Sequence, residues 1–262
     1  MEILTLLVVG IIVGILAGLL GVGGGTIIVP ILTWILSVHQ DITQAHLMHI
    51  AIGTSLATIV ITAISSIVAH QQHKAIRWDI VKQLTTGIII GALLGAIIAD
   101  RVSTDSLRII FGIFIIFVSI QMSIGIQPKP HHQLPNWFGM NIMGILIGSL
   151  SGLVGIGGGL LTVPFLTWSN LSIRHAIATS AACGLPIAIA GTMGFIITGW
   201  QDTNFAIGQV GYVYLPAFLT IAVASVLFAP LGAKLTHTLP VTLLKRIFAF
   251  LLAGVGIKML FY

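Results

Sequence analysis

Seven apolar runs dominate this chain, at 3–20, 50–69, 84–99, 107–126, 138–154, 209–233 and 241–261. A helix needs about 20 mostly apolar residues to cross the hydrocarbon core of a bilayer, and most of these runs meet or approach that length. Charge is correspondingly scarce. Of 262 residues, 6% are charged and 57% hydrophobic, with mean hydropathy +1.13; a soluble domain carries about 25% charged residues. The chain reads as an all-α polytopic membrane protein. Its first run follows an acidic Glu2 with no Lys or Arg before it. A secretory leader starts positive, so this run reads as a retained membrane segment. The net charge of +5 does not point to nucleic acid, because the basic residues stand singly between apolar runs rather than clustering on one face. A lone cysteine, Cys183, offers neither a disulfide framework nor metal-ligand spacing. It reads as a small packing residue, and no cofactor or metal is expected.

The chain repeats itself. Gly10/Gly144, Gly14/Gly148, Gly18/Gly152, Gly21/Gly155, Gly23/Gly157, Pro30/Pro164 and Trp34/Trp168 are all separated by one offset (144 − 10 = 134). Later pairs, Gly95/Gly232, Leu107/Leu244 and Phe111/Phe248, share a second (232 − 95 = 137). Agreement of Gly, Pro and Trp in a single frame predicts two repeats, 1–126 and 137–262, joined by the Pro-rich linker at 127–136. Each repeat has five segments: 3–21, 26–37, 44–69, 79–99 and 106–126 in the first; 137–154, 160–169, 174–199, 209–235 and 241–261 in the second.

Basic residues set the orientation, because cytoplasmic loops are enriched in Lys and Arg. If the first two segments of each repeat form a returning hairpin, each repeat crosses an odd number of times and the two are inverted. With both termini outside, Lys74, Arg77, Lys82, Lys129, Arg174, Lys234, Lys245 and Arg246 lie inside; Arg101, Arg108 and Lys258 lie outside. "HQQHKAIRW" at 70–78 is basic, whereas its repeat counterpart "QDTNFAIGQ" at 201–209 is not, a contrast that inversion explains. Segments 70–78 and 127–136 are then cytoplasmic.

The glycines divide into two kinds. Gly10, Gly14 and Gly18, with Gly144, Gly148 and Gly152, recur every four residues and so share one helix face, the small-residue surface that lets membrane helices pack closely. Gly87, Gly91 and Gly95 do the same. The consecutive runs Gly23, Gly24, Gly25 and Gly157, Gly158, Gly159 serve no single face. They predict helix breaks, where non-helical backbone is tolerated only if buried in protein or lining a cavity. The segment after each break is too short to span, so the helix starts at Thr26 and Leu160 are expected part-way into the bilayer. A helix N-terminus offers unpaired N–H groups and about half a positive charge and is suited to anions. Neither run continues into a dinucleotide or phosphate-loop motif: Thr26 and Leu160 stand where the third Gly of G-x-G-x-x-G is required, and no Gly-Lys-Ser/Thr follows.

All six acids, Glu2, Asp41, Asp79, Asp100, Asp105 and Asp202, lie in loops or at segment ends. Cation and proton carriers usually hold intramembrane carboxylates, so a site of backbone dipoles and hydroxyls points to an anion. Candidate hydroxyls are Thr54 and Ser55 in the first repeat and Thr179 and Ser180 in the second. His49 and His175 read as interfacial groups.

"GLLGVGGGTIIVPIL" at 18–32, "GLVGIGGGLLTVPFL" at 152–166, "AIGTSLA" at 51–57 and "AIATSAA" at 176–182 resemble the TauE/SafE family of sulfite and organosulfonate permeases. The resemblance covers essentially the whole chain. It implies a secondary transporter, in the direction of export, for a small sulfur anion such as sulfite, thiosulfate or a C2 sulfonate, in a bacterial-type cytoplasmic membrane. The implied partners are that anion and the lipid bilayer, with no nucleic acid; monomer and homodimer both stay open. The substrate is expected between the repeats at Gly23, Gly24, Gly25, Thr26, Thr54 and Ser55 and at Gly157, Gly158, Gly159, Leu160, Thr179 and Ser180, with alternating access. An anion channel sharing the site is the alternative. An enzyme is not expected, because no acid in the spans can orient a base or hold a metal.

Overall fold

The structure, a computed structural model, describes residues 2–20, 24–38, 44–124, 134–200, 208–235 and 241–261. Ten helices follow in order: α1 (Glu2–Leu20), α2 (Gly25–Ser37), α3 (Leu47–Gln72, preceded by a 3-10 turn at Gln44–His46), α4 (Trp78–Asp100), α5 (Thr104–Ile124), α6 (Trp137–Val154), α7 (Gly159–Trp168), α8 (Ile173–Thr198), α9 (Leu215–Leu235) and α10 (Val241–Phe261). Among the described residues, five stretches are long and apolar enough to cross a membrane: Gln44–Gln72, Trp78–Asp100, Thr104–Ile124, Trp137–Val154 and Ile173–Thr198. Shorter apolar helical stretches, Gly25–Ser37 and Gly159–Trp168 among them, accompany these. The protein is an all-α polytopic membrane protein, as its sequence predicts.

One expected helical stretch is replaced by a hairpin. The segment expected at 209–235 begins as strands β1 (Gln209–Val210) and β2 (Val213–Tyr214), and its helix starts only at Leu215. The turn needs left-handed backbone at Gly211, with φ 54°, and the hairpin is wedged into the protein. Tyr212 is fully buried, and its N–H donates to the Phe195 carbonyl at 3.2 Å. Alternation of apolar and polar residues is too short here, at six residues, to stand out from the apolar run that follows.

Helices α3 and α8 pack together at the centre, and the other principal pairings are α1 with α9, α4 with α6, α5 with α10 and α4 with α8. The small faces read from the sequence make these contacts. A methyl on Gly144 would stand 2.7 Å from the Leu84 carbonyl oxygen, and one on Gly152 2.8 Å from that of Ala92. On the other side of the same interface, a methyl on Gly95 would stand 2.5 Å from the Ser149 oxygen. Similarly, Gly14 faces Ser225 on α9, and the Ser225 hydroxyl donates to the Gly10 carbonyl at 3.1 Å. The α5–α10 pair is tied by the Ser119 hydroxyl, which donates to the Ala249 carbonyl at 2.7 Å.

The outside of the bundle is apolar where lipid would touch it: Ile90, Ile97, Phe117, Leu146 and Ile197 are exposed. All five tryptophans, Trp34, Trp78, Trp137, Trp168 and Trp200, are at least 43% exposed and lie at or near helix ends. That is the placement of an aromatic belt at the two membrane interfaces.

Candidate functional site

The described residues of both predicted helix breaks are buried. Gly24 caps α2 with φ 77° and Gly158 caps α7 with φ 37°, backbone that glycine reaches without the Cβ penalty of other residues. Gly24 through Val29 and Gly155 through Leu160 are enclosed by protein. Gly23 lies outside the described residues. The proline in each short helix has a consequence for the breaks. Pro30 and Pro164 lie inside α2 and α7 and cannot donate to the carbonyls four residues earlier, so the Thr26 and Leu160 carbonyls are withdrawn from the helical ladder in both copies.

The two breaks touch. A methyl on Gly25 would collide with the Gly155 carbonyl oxygen and come within 3.1 Å of Ile156 Cα. Ser55 on α3 braces this contact, its hydroxyl donating to the Gly155 carbonyl at 2.9 Å. The second break also reaches α8. A methyl on Gly158 would stand 2.6 Å from Ile187 Cδ1 and 3.3 Å from the Thr162 hydroxyl, while the space above Gly184 opens toward the Gly157 carbonyl at 3.9 Å. The segment Gly155–Gly159 thus lies between α3 and α8, the two central helices. Gly159 and Leu160 form the first buried turn of α7.

Three hydroxyls around these breaks are buried with no hydrogen-bond partner: Thr26 in the first turn of α2, Thr162 one turn into α7, and Ser180 on α8. Each residue is 0% exposed. Ser180 precedes Gly184 by four residues and so lies on the same face of α8. Leaving a buried hydroxyl unsatisfied costs about 1–3 kcal/mol, and such groups are few in native proteins. Thr162 was not among the residues expected from sequence. Its repeat counterpart is Ile28, just as Leu160 is the counterpart of Thr26, so the two copies carry their hydroxyl at different positions and alignment of the repeats conceals it.

Thr54 and Thr179 behave differently. The Thr54 hydroxyl accepts from the backbone N–H of Tyr214 at 2.9 Å, and that of Thr179 accepts from the backbone N–H of Arg77 at 3.1 Å. Arg77 immediately precedes α4 and Tyr214 immediately precedes α9. Each threonine therefore holds the start of the fourth segment of the opposite half of the chain. The expected interfacial histidines are also tied to backbone: His49 Nε2 bonds the Ala99 carbonyl at 3.0 Å, and His175 Nδ1 lies 2.8 Å from that of Ala75. Cys183 is fully buried, as a packing residue should be.

The chain matches the family model described as sulfite exporter TauE/SafE over residues 6–259. It is 38% identical to a "Probable membrane transporter protein" of Haemophilus influenzae, covering 98% of this chain and 97% of that protein. A protein of Methanocaldococcus jannaschii with the same description is 31% identical, over 97% of this chain and 94% of its own. No solved structure matches the chain. A match spanning nearly every helix, on a fold with two buried glycine-broken helix starts, makes this chain a member of the TauE/SafE family of membrane transporters.

Proposed function

We propose that the protein is a secondary transporter, working as an exporter, of a small sulfur-containing anion such as sulfite, thiosulfate or a C2 sulfonate. The observation that carries this reading is the set of three unpartnered buried hydroxyls: Thr26 and Thr162 in the first turns of the two short helices, and Ser180 on α8 one turn before Gly184, which faces the Gly157 carbonyl. The free N–H groups and dipoles of α2 and α7 supply positive potential there. The substrate contacts are Gly23–Thr26 and Gly157–Leu160 through backbone, Thr26, Thr162 and Ser180 through hydroxyls, and Ser55 through its bridge between the breaks. Thr54 and Thr179 act from behind, by fixing the helices that frame the site. No full charge is built into the site, so an anion can leave as well as bind.

The pairings α1–α9 and α6–α4, with the reciprocal Thr54 and Thr179 contacts, support two related repeats at 1–126 and 137–262; their inversion, with the 127–136 linker inside and both termini outside, rests on the charge count. Discontinuous helices meeting between inverted repeats suit alternating access by rocking of one repeat against the other. Purified protein in liposomes tests the reading. Sulfite, thiosulfate or sulfoacetate should show saturable, electrically small flux; an ohmic anion current would make the protein a channel, and absence of flux for every sulfur anion would reject the substrate class.

A further inference from the structure

The charge count leaves three basic residues, Arg101, Arg108 and Lys258, on the side where basic residues are disfavoured. The structure brings all three to one cavity of about 930 Å³, formed by α2, the start of α3, the α4–α5 turn, α5 and α10. They come from three separate elements, so their convergence is a property of the fold. Asp105 pairs with Arg108 at 3.3 Å, yet its side chain is 79% exposed, and Arg108 Nε is buried without a partner. Asp100 also lines the chamber and accepts from the Tyr212 hydroxyl at 3.3 Å without losing its charge, so three cations less the carboxylates Asp100 and Asp105 leave the chamber a net charge of +1 (3 − 2). Arg101 and Lys258 form no salt bridge among the described residues, and Lys258 lies 5.6 Å over the Trp34 ring. At the floor stands His49, 2% exposed. Its Nε2 faces the Ala99 carbonyl, an acceptor only, so Nε2 carries the proton; Nδ1 is buried and unpartnered. Ile31, Val255 and Met259 give the chamber an apolar wall, and low-dielectric walls focus the field of the charges they surround.

Two helices lead from this chamber to the glycine breaks. On α3, His49 and Ser55 are six residues apart, about 9 Å of helix. On α2, Pro30 lines the chamber and Gly25 begins the helix. We infer that the cavity is the access vestibule of the transport site, a chamber that concentrates small oxyanions and sulfonates on Arg101, Arg108 and Lys258 before they pass along α2 and α3 to the breaks. The route rests on the transport reading above; the preference for anions does not.

The test uses Ser37→Cys, an exposed position lining the chamber, in a Cys183→Ala background. Its thiol is reacted in detergent with an anionic sulfonatoethyl and a cationic trimethylammonioethyl methanethiosulfonate. Relative to a free thiol, the anionic reagent should be favoured roughly ten-fold, and R101Q with K258Q, or high salt, should erase the preference. A ratio at or below that of the free thiol overturns the vestibule, whether or not the protein transports sulfur anions. Bilayer discs of phosphatidylglycerol and of phosphatidylcholine separate a soluble anion from a lipid headgroup: selective protection of the thiol by phosphatidylglycerol would assign the chamber to lipid and overturn the inference. In liposomes, the R101Q/K258Q protein should show a KM raised about ten-fold with kcat retained. A normal KM beside a lost reagent preference would disconnect the chamber from the transport path.

Discussion

Alanine at Gly25 is a direct test of the contact between the two breaks. Gly25 is the first residue of α2 and has ordinary helical backbone, so alanine carries no conformational penalty there and gains up to about 1 kcal/mol of helix propensity. Sterics oppose that gain. The new methyl would collide with the Gly155 carbonyl oxygen, and would stand 3.0 Å from Ser55 Oγ and 3.1 Å from Ile156 Cα. Two of these three neighbours are backbone of the opposing break, which cannot rotate away. Overpacking of a tight site costs about 1–3 kcal/mol, and displacing Ser55 from the Gly155 carbonyl costs about another 1 kcal/mol. The net loss is about 1–3 kcal/mol, or roughly 2–10 °C in melting temperature for a chain of this size. Thermal unfolding in detergent measures it, with Gly254→Ala as the control. A methyl on Gly254 meets nothing within 4 Å, so that variant should melt at or above the parent. If Gly25→Ala melts with the control, the breaks do not meet and the proposed site loses its shape.

Thr26→Val and Ser180→Ala remove hydroxyls that bind nothing in the protein, so both variants should fold with unchanged or slightly higher stability yet lose roughly ten- to a hundred-fold in substrate affinity; normal affinity in both would move the site. Thr54→Val and Thr179→Val instead strip an acceptor from a backbone N–H, and each should cost about 1–3 kcal/mol on thermal unfolding; parent-like melting would show the brackets to be dispensable. Gly91→Val on α4 would drive its side chain into the Ile145 backbone of α6 and should abolish recovery of folded protein in detergent, whereas a well-folded monodisperse variant would contradict the close α4–α6 packing. Cysteines at Gln71 and Thr203, in a Cys183-free background, should label from opposite faces of intact cells; labelling from one face would rule out inverted repeats.

Hydropathy alone marked out most of the helices, because burial in lipid demands long apolar runs and leaves few other solutions. The segments at 137–154 and 241–261 have the bounds expected, and the glycine breaks fall where three adjacent glycines and a short following helix place them. What stayed hidden depends on distant partners. Thr54 and Thr179 meet Tyr214 and Arg77 across 160 and 102 residues, and nothing near either threonine in sequence distinguishes a bracket from a ligand. Thr162 was masked by the mismatch between repeats. The chamber could not be read at all, since Arg101, Arg108 and Lys258 look like three exceptions to an orientation rule until α5 and α10 are brought together.

The pairing of α1 with α9 has a consequence for how the protein is made. The Gly10 carbonyl receives its hydrogen bond from Ser225, 215 residues later, so α1 leaves the ribosome long before its packing surface exists. Until then it must stay in the bilayer, or against the insertion machinery, with a glycine face exposed. The same holds in reverse for the second half, whose α6 finds its partner α4 already inserted. Biogenesis is therefore asymmetric: α6 docks on a helix already inserted, whereas α1 waits for α9 and α5 waits for α10, so the first half is completed only as the second is made.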